Sequence, residues 1–124
     1  MLDHMSIQCA DLNAAARFYD TVLPEIGAAR IFYFGDVIGY GRDSKPTFWI
    51  GIQVSGGENR EVHIAFETHD RDSVDAFFDA AVAFGAEVIQ EPRECPEYHA
   101  NYYGAFVRDP DGNNVEAVCH AEQD

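Results

Sequence analysis

Cations are scarce in this chain. Lys45 is the only lysine and seven arginines are spread along 124 residues, against 22 acidic side chains, for a formal net charge of −14. A phosphate backbone or an anionic lipid surface needs the opposite balance, which argues against nucleic acid and membrane surfaces as partners. Long apolar runs are missing too. No stretch approaches the ~20 residues of a membrane span, and Met1-Leu2-Asp3-His4 does not begin an export signal, so a cytoplasmic location is expected. Cysteine is limited to Cys9, Cys95 and Cys119, an odd set without CxxC spacing. That fits reduced thiols better than a disulfide framework or a zinc knuckle. No low-complexity segment divides the chain, and 47% hydrophobic content over this length suits one domain with a shared core, expected over residues 1–124.

What is present begins with a hairpin near the end. Pro110, Asp111, Gly112 and Asn113 supply the fixed φ and the tolerance of positive φ that a tight reversal needs, with apolar runs on both sides. On the return strand Asn114, Glu116, Val118 and His120 alternate with Val115, Ala117 and Cys119. Glu116 is the oddity. A carboxylate on a pleated face between apolar neighbours must find a cation or a donor.

The start of the chain alternates as well: His4, Ser6 and Gln8 share one face, and Met5, Ile7 and Cys9 the other. Asp11 reads as an N-cap, and Ala15, Phe18, Tyr19, Val22 and Leu23 form a helical stripe that Pro24 and Gly27 close. A shift of 59 residues repeats the pattern. His63, Ala65 and Glu67 take the places of His4, Ser6 and Gln8; Asp70 replaces Asp11; Phe77 and Phe78 replace Phe18 and Tyr19; Gly85 ends the second helix. Strand candidates follow each helix: Ala29 to Tyr40 and Thr47 to Val54, then Glu87 to Gln90 and the hairpin. Between these last two, residues 91–100 carry two prolines and read as an irregular loop. The expected fold class is α+β, two tandem β-α-β-β-β units (1–58 and 59–124) forming a curved mixed sheet with helices outside.

If the polar faces of the strands enclose a common space, His4, His63 and Glu116 converge. Two imidazoles and a carboxylate suit a divalent ion such as Fe(II), Mn(II), Ni(II) or Zn(II) and leave positions open for water and substrate. Taken singly, a strand histidine is more often satisfied or exposed than a ligand; the repeat-matched pair beside a misplaced glutamate is what favours a metal.

The doubled pattern, the two strand histidines and Asp109-Pro110-Asp111-Gly112-Asn113-Asn114-Val115-Glu116 together resemble the vicinal-oxygen-chelate superfamily of glyoxalases, bleomycin resistance proteins and extradiol dioxygenases. Tyr98-His99, Tyr102-Tyr103 and Gly104-Ala105-Phe106 resemble a branch described only as glyoxalase-like. The resemblance implies His4, His63 and Glu116 as metal ligands and a divalent-metal enzyme, lyase, isomerase or dioxygenase, acting on a small substrate with vicinal oxygens. It also implies a homodimer in which His4 meets His63 and Glu116 of another copy. Glyoxalase I has a second glutamate on the last strand of the first unit. Here that strand has no acid between Asp43 and Glu58, and Gln53 is at best a weak neutral donor.

The polar aromatic segment 93–103 supplies the remaining site residues. His99, Tyr98 and Tyr102 are expected as catalytic groups, and Trp49, Tyr103 and Arg93 as substrate contacts. Phe48 and Trp49, adjacent on one strand, should face opposite ways. The alternative function is a metal-free, bleomycin-resistance-type protein that sequesters a small, possibly cationic compound.

Overall fold

A computed structural model describes residues 1–122. The chain runs β1 (Met5–Cys9), α1 (Leu12–Val22), a 3-10 turn (Leu23–Ile26), β2 (Ala29–Phe34), β3 (Val37–Arg42) and β4 (Lys45–Ile52). The second unit follows as β5 (His63–Thr68), α2 (Arg71–Phe84), β6 (Val88–Glu94), β7 (Tyr103–Arg108) and β8 (Asn114–Cys119). The strands form two four-stranded mixed sheets of identical plan, ordered β1-β4-β3-β2 and β5-β8-β7-β6, each with one parallel pair. Two tandem β-α-β-β-β units are therefore present, as the repeat predicts.

Both helices start on the expected caps. The Asp11 carboxylate accepts from Ala14 N at 3.1 Å, and Asp70 accepts from Ser73 N at 2.8 Å. Gly27 and Gly85 close the two helical segments with φ of 81° and 99°, where a side chain would be strained. The helical stripes bury Phe18, Tyr19, Val22, Val74 and Phe77 against Ile7, Cys9, Phe48, Ile50, Ala105, Val107, Val115, Ala117 and Cys119. One face of each sheet is thus sealed by helices, and alternation turns His4, Ser6, Trp49, His63, Phe106 and Glu116 to the other face.

One strand departs from expectation. β6 extends through Pro92 to Glu94, instead of ending at Gln90, with a register shift between Gln90 and Arg93. It is an edge strand, and there a proline costs no ladder hydrogen bond on the open side. The loop is correspondingly shorter than the sequence suggests.

The hairpin turn is fastened to α1 by a buried acid. The hydroxyl of Tyr19 donates to Asp109 Oδ2 at 2.6 Å, and Asn113 Nδ2 donates to the same atom at 2.9 Å. Asp109 Oδ1 accepts from the backbone nitrogens of Asp111 (2.9 Å) and Asn113 (3.0 Å). The two halves are joined elsewhere by Arg42, whose guanidinium donates to the carbonyls of Ile26 and Glu67, and by the edge-on contact of Phe48 with Phe66 at 5.2 Å.

Two predictions come from this packing. Replacing Tyr19→Phe takes a donor from the buried Asp109 carboxylate, and chemical denaturation should show a loss of about 1.5–3 kcal/mol. Alkali should also unfold the protein. Burial, then the neighbouring Asp109, pushes the Tyr19 phenol well up; burial pushes Tyr40 up, and burial raises Cys9 to about 12. These groups ionise in the unfolded chain at lower pH than in the folded one. Their stabilisation is complete below about pH 9 and is lost as pH rises toward their folded values, at ~1.4 kcal/mol per pH unit for each group. Stability measured from pH 8 to 12 should fall, and fall less steeply in Tyr19→Phe.

Candidate metal centre

β5 and β8 are parallel neighbours, with His63 opposite Asn114 and Ala65 opposite Glu116. Side chains one step apart on adjacent strands of one face can meet, and these do: His63 Nε2 lies 2.7 Å from Glu116 Oε1. The carboxylate is wholly buried while about half of the imidazole is open to solvent. His63 also lies beside the Phe106 ring, 5.9 Å between centroids, so an apolar wall flanks the pair.

The second carboxylate oxygen is also engaged. Tyr102 OH donates a hydrogen bond to Glu116 Oε2. Burial first, and the adjacent Glu116 next, push the Tyr102 phenol up, so it remains a donor. Around its ring stand Tyr98 at 5.0 Å, His99 at 5.2 Å and His120 at 5.2 Å, and the two imidazoles are 4.9 Å apart. His99 Nδ1 is 2.8 Å from the Ala100 carbonyl, which can only accept, so Nδ1 carries the proton and Nε2 is the basic nitrogen.

The other predicted residues lie elsewhere. His4 precedes β1 and its Nδ1 is 2.7 Å from Asp3 Oδ1; Lys45 Nζ holds the other oxygen of Asp3 at 2.7 Å. His4 lines a hollow of about 530 Å³ with Ser6, Val37, Pro46 and Trp49 on the outer face of the first sheet. Tyr103 turns toward the helices, its hydroxyl donating to Asp75 Oδ1 at 2.6 Å and its ring lying under the Arg71 guanidinium. Arg93 is held by Glu97, 2.6 Å between Nη2 and Oε2. Among the described residues of one chain, no three His, Cys, Asp or Glu side chains are grouped to hold a metal ion.

The register explains the missing first-unit acid. Ser6, the repeat partner of Ala65, pairs with Trp49 just as Ala65 pairs with Glu116. Trp49 therefore occupies the place of a second glutamate. Its ring lies over Gly39, where a Cβ would come within 3.0 Å of the indole, and next to Phe32 at 5.8 Å. Phe48 is buried on the core side, as alternation predicts. Gln53 lies past the end of β4 and donates to the Gly57 carbonyl.

Two contributors escaped sequence reasoning. His120, exposed just past the end of β8, shares the face of Glu116 by simple alternation, and its ring lies 5.2 Å from that of Tyr102. Asn114 is on that face too, and its Oδ1 is buried without a hydrogen-bond partner among the described residues.

A His nitrogen and a carboxylate oxygen bound side by side to one ion at ~2.1 Å are separated by roughly 3 Å. The 2.7 Å gap between His63 and Glu116 is close to that separation.

A family model described as the Glyoxalase/Bleomycin resistance protein/Dioxygenase superfamily matches residues 1–117. No curated protein matches the chain in sequence. Among solved structures, a glyoxalase/bleomycin resistance protein from Albidiferax ferrireducens T118 is 27% identical, with 94% of this chain and 96% of that one aligned at a TM-score of 0.82. A lactoylglutathione lyase from Agrobacterium tumefaciens is similar in fold at 20% identity, coverage of 94% and 90% and a TM-score of 0.68. So is the fosfomycin resistance protein FosX from Listeria monocytogenes, at 19% identity, coverage of 95% and 91% and a TM-score of 0.69. The chain belongs to the Glyoxalase/Bleomycin resistance protein/Dioxygenase superfamily.

Proposed function

We propose that the protein is a divalent-metal-dependent enzyme acting on a small substrate with neighbouring oxygens, with His63 and Glu116 as ligands. The observation that carries this reading is the wholly buried Glu116 carboxylate, 2.7 Å from a half-exposed imidazole on the adjacent strand. A buried charge left for structural reasons alone would be costly. His4 of a second copy supplies the third ligand in this reading, because its own chain keeps it on the other sheet.

A bound Fe(II), Mn(II), Ni(II) or Zn(II) would supply Lewis acidity toward the substrate oxygens. The chain's residues do the rest. Phe106 and the Tyr98-Tyr102 pair form the apolar surroundings that limit water near Glu116. His99 presents a basic nitrogen that can take or return a proton at Nε2. Trp49 offers a flat face for a planar substrate where a related unit would offer charge.

The outer face of the first sheet supports the dimer. Phe32 and Phe34 stack at 6.3 Å and are 48% and 71% exposed, beside Trp49. Such a strip needs a cover, and a second copy placing it over the His63–Glu116 face would supply one and bring His4 with it.

The alternative, metal-free sequestration of a small cation, is favoured by the same buried carboxylate, the aromatic surroundings and the net charge of −14.

Metal analysis after native purification separates the two. Near-stoichiometric divalent metal, lost in His63→Ala and in Glu116→Gln, is the expected result; metal-free protein that binds planar aromatic cations equally well in wild type and His63→Ala would establish sequestration instead. Light scattering at micromolar concentration should give a dimer, converted to monomer by Phe34→Glu with loss of metal retention. A monomeric wild type would exclude a shared site.

A further inference from the structure

We infer that Tyr102 is a positioning residue that reserves one oxygen of Glu116, so that the carboxylate offers a metal ion only its other oxygen. The inference rests on the metal reading above and adds what sets the number of open positions at the ion.

The two oxygens are divided between two elements. Oε1 faces His63 on β5, and Oε2 accepts a hydrogen bond from the hydroxyl of Tyr102, the residue just before β7. Room for that contact exists because β7 carries glycine next to it. A Cβ on Gly104 would stand 3.0 Å from Glu116 Oε2 and 3.2 Å from Tyr102 Cε1, tighter than ordinary van der Waals contact, so both groups would have to shift.

The phenol cannot easily swing away. Cys95 N donates to the Tyr102 carbonyl at 2.7 Å, closing the base of the segment 95–102, and Cys95 itself is fully buried. The rings of Tyr98, His99 and His120 lie against the Tyr102 ring at 5.0, 5.2 and 5.2 Å. Asn101, immediately before Tyr102, has φ of +64°, a left-handed turn that asparagine tolerates better than most residues. Several contacts thus hold one residue, whose hydroxyl hydrogen bond among the described residues goes to Glu116. A carboxylate held by one oxygen uses one coordination position where a chelating one uses two. Outer contacts of this kind orient ligands.

Cobalt(II) reports coordination number through its visible spectrum, which weakens as oxygen donors are added. The purified protein is stripped with chelator, loaded with saturating Co(II), and compared with Tyr102→Phe, which keeps the ring and removes only the donor, and with Gly104→Ala, which crowds the contact while leaving the hydroxyl in place. Both variants should retain cobalt yet show a weaker and shifted visible band, with unchanged far-ultraviolet circular dichroism. An unaltered band in cobalt-loaded Tyr102→Phe overturns the inference and leaves the metal reading standing. Failure of the wild type to take up cobalt overturns both.

Discussion

The geometry of the site depends on the buried Asp109 carboxylate. Four donors, one from α1 and three from the turn it begins, converge on its two oxygens. Together they fix where β8 begins. Register in a strand has a period of two, so a slip of one residue would send Glu116 into the helix-packed core and bring Val115 to its place. The Asp-Pro-Asp-Gly-Asn sequence therefore acts at a distance. It touches no part of the candidate centre, yet it decides which face carries the acid.

Much of this was legible in the sequence, where the controlling forces are local. Caps at Asp11 and Asp70, closing glycines at 27 and 85, and alternation along β1, β5 and β8 are written in short-range chemistry, and the structure follows them. The meeting of His63 with Glu116 was foreseen from their shared polar face, because a parallel neighbour is all that their contact requires. The rest depended on cross-strand register and on tertiary contact. Pro92 reads as a break, yet an edge strand absorbs it. Tyr102 and Tyr103 are adjacent and chemically alike, and only the start of β7 between them sends one to Glu116 and the other to Asp75. Nothing in composition distinguishes the two.

Duplication gives the two units one backbone and two chemistries. His4 and His63 sit at matching positions, and Trp49 and Glu116 sit at matching positions across from Ser6 and Ala65. Had both units kept the acid, the chain would have two carboxylates to desolvate and neutralise. Glu116 already draws on a half-exposed imidazole and a phenol, and the first sheet has Lys45 engaged with Asp3 instead. An indole in place of the second acid removes that demand. It also changes what the sheet can do, since an indole binds by apolar contact and stacking and not by charge.

Two outer-face groups are accommodated by an absent side chain. Gly39 leaves space for the Trp49 ring, and Gly104 leaves space for Glu116 Oε2 and the Tyr102 ring together. A methyl group at either position would press on its neighbour at about 3 Å, where close packing leaves no slack. Gly39 and Gly104, poor strand formers by propensity, are thus explained by what lies over them and not by turns. Their places mark the two surfaces where the sheets hold something other than core, an aromatic platform on one and a divided carboxylate on the other. The chemistry of the fold lies in the difference between those two surfaces.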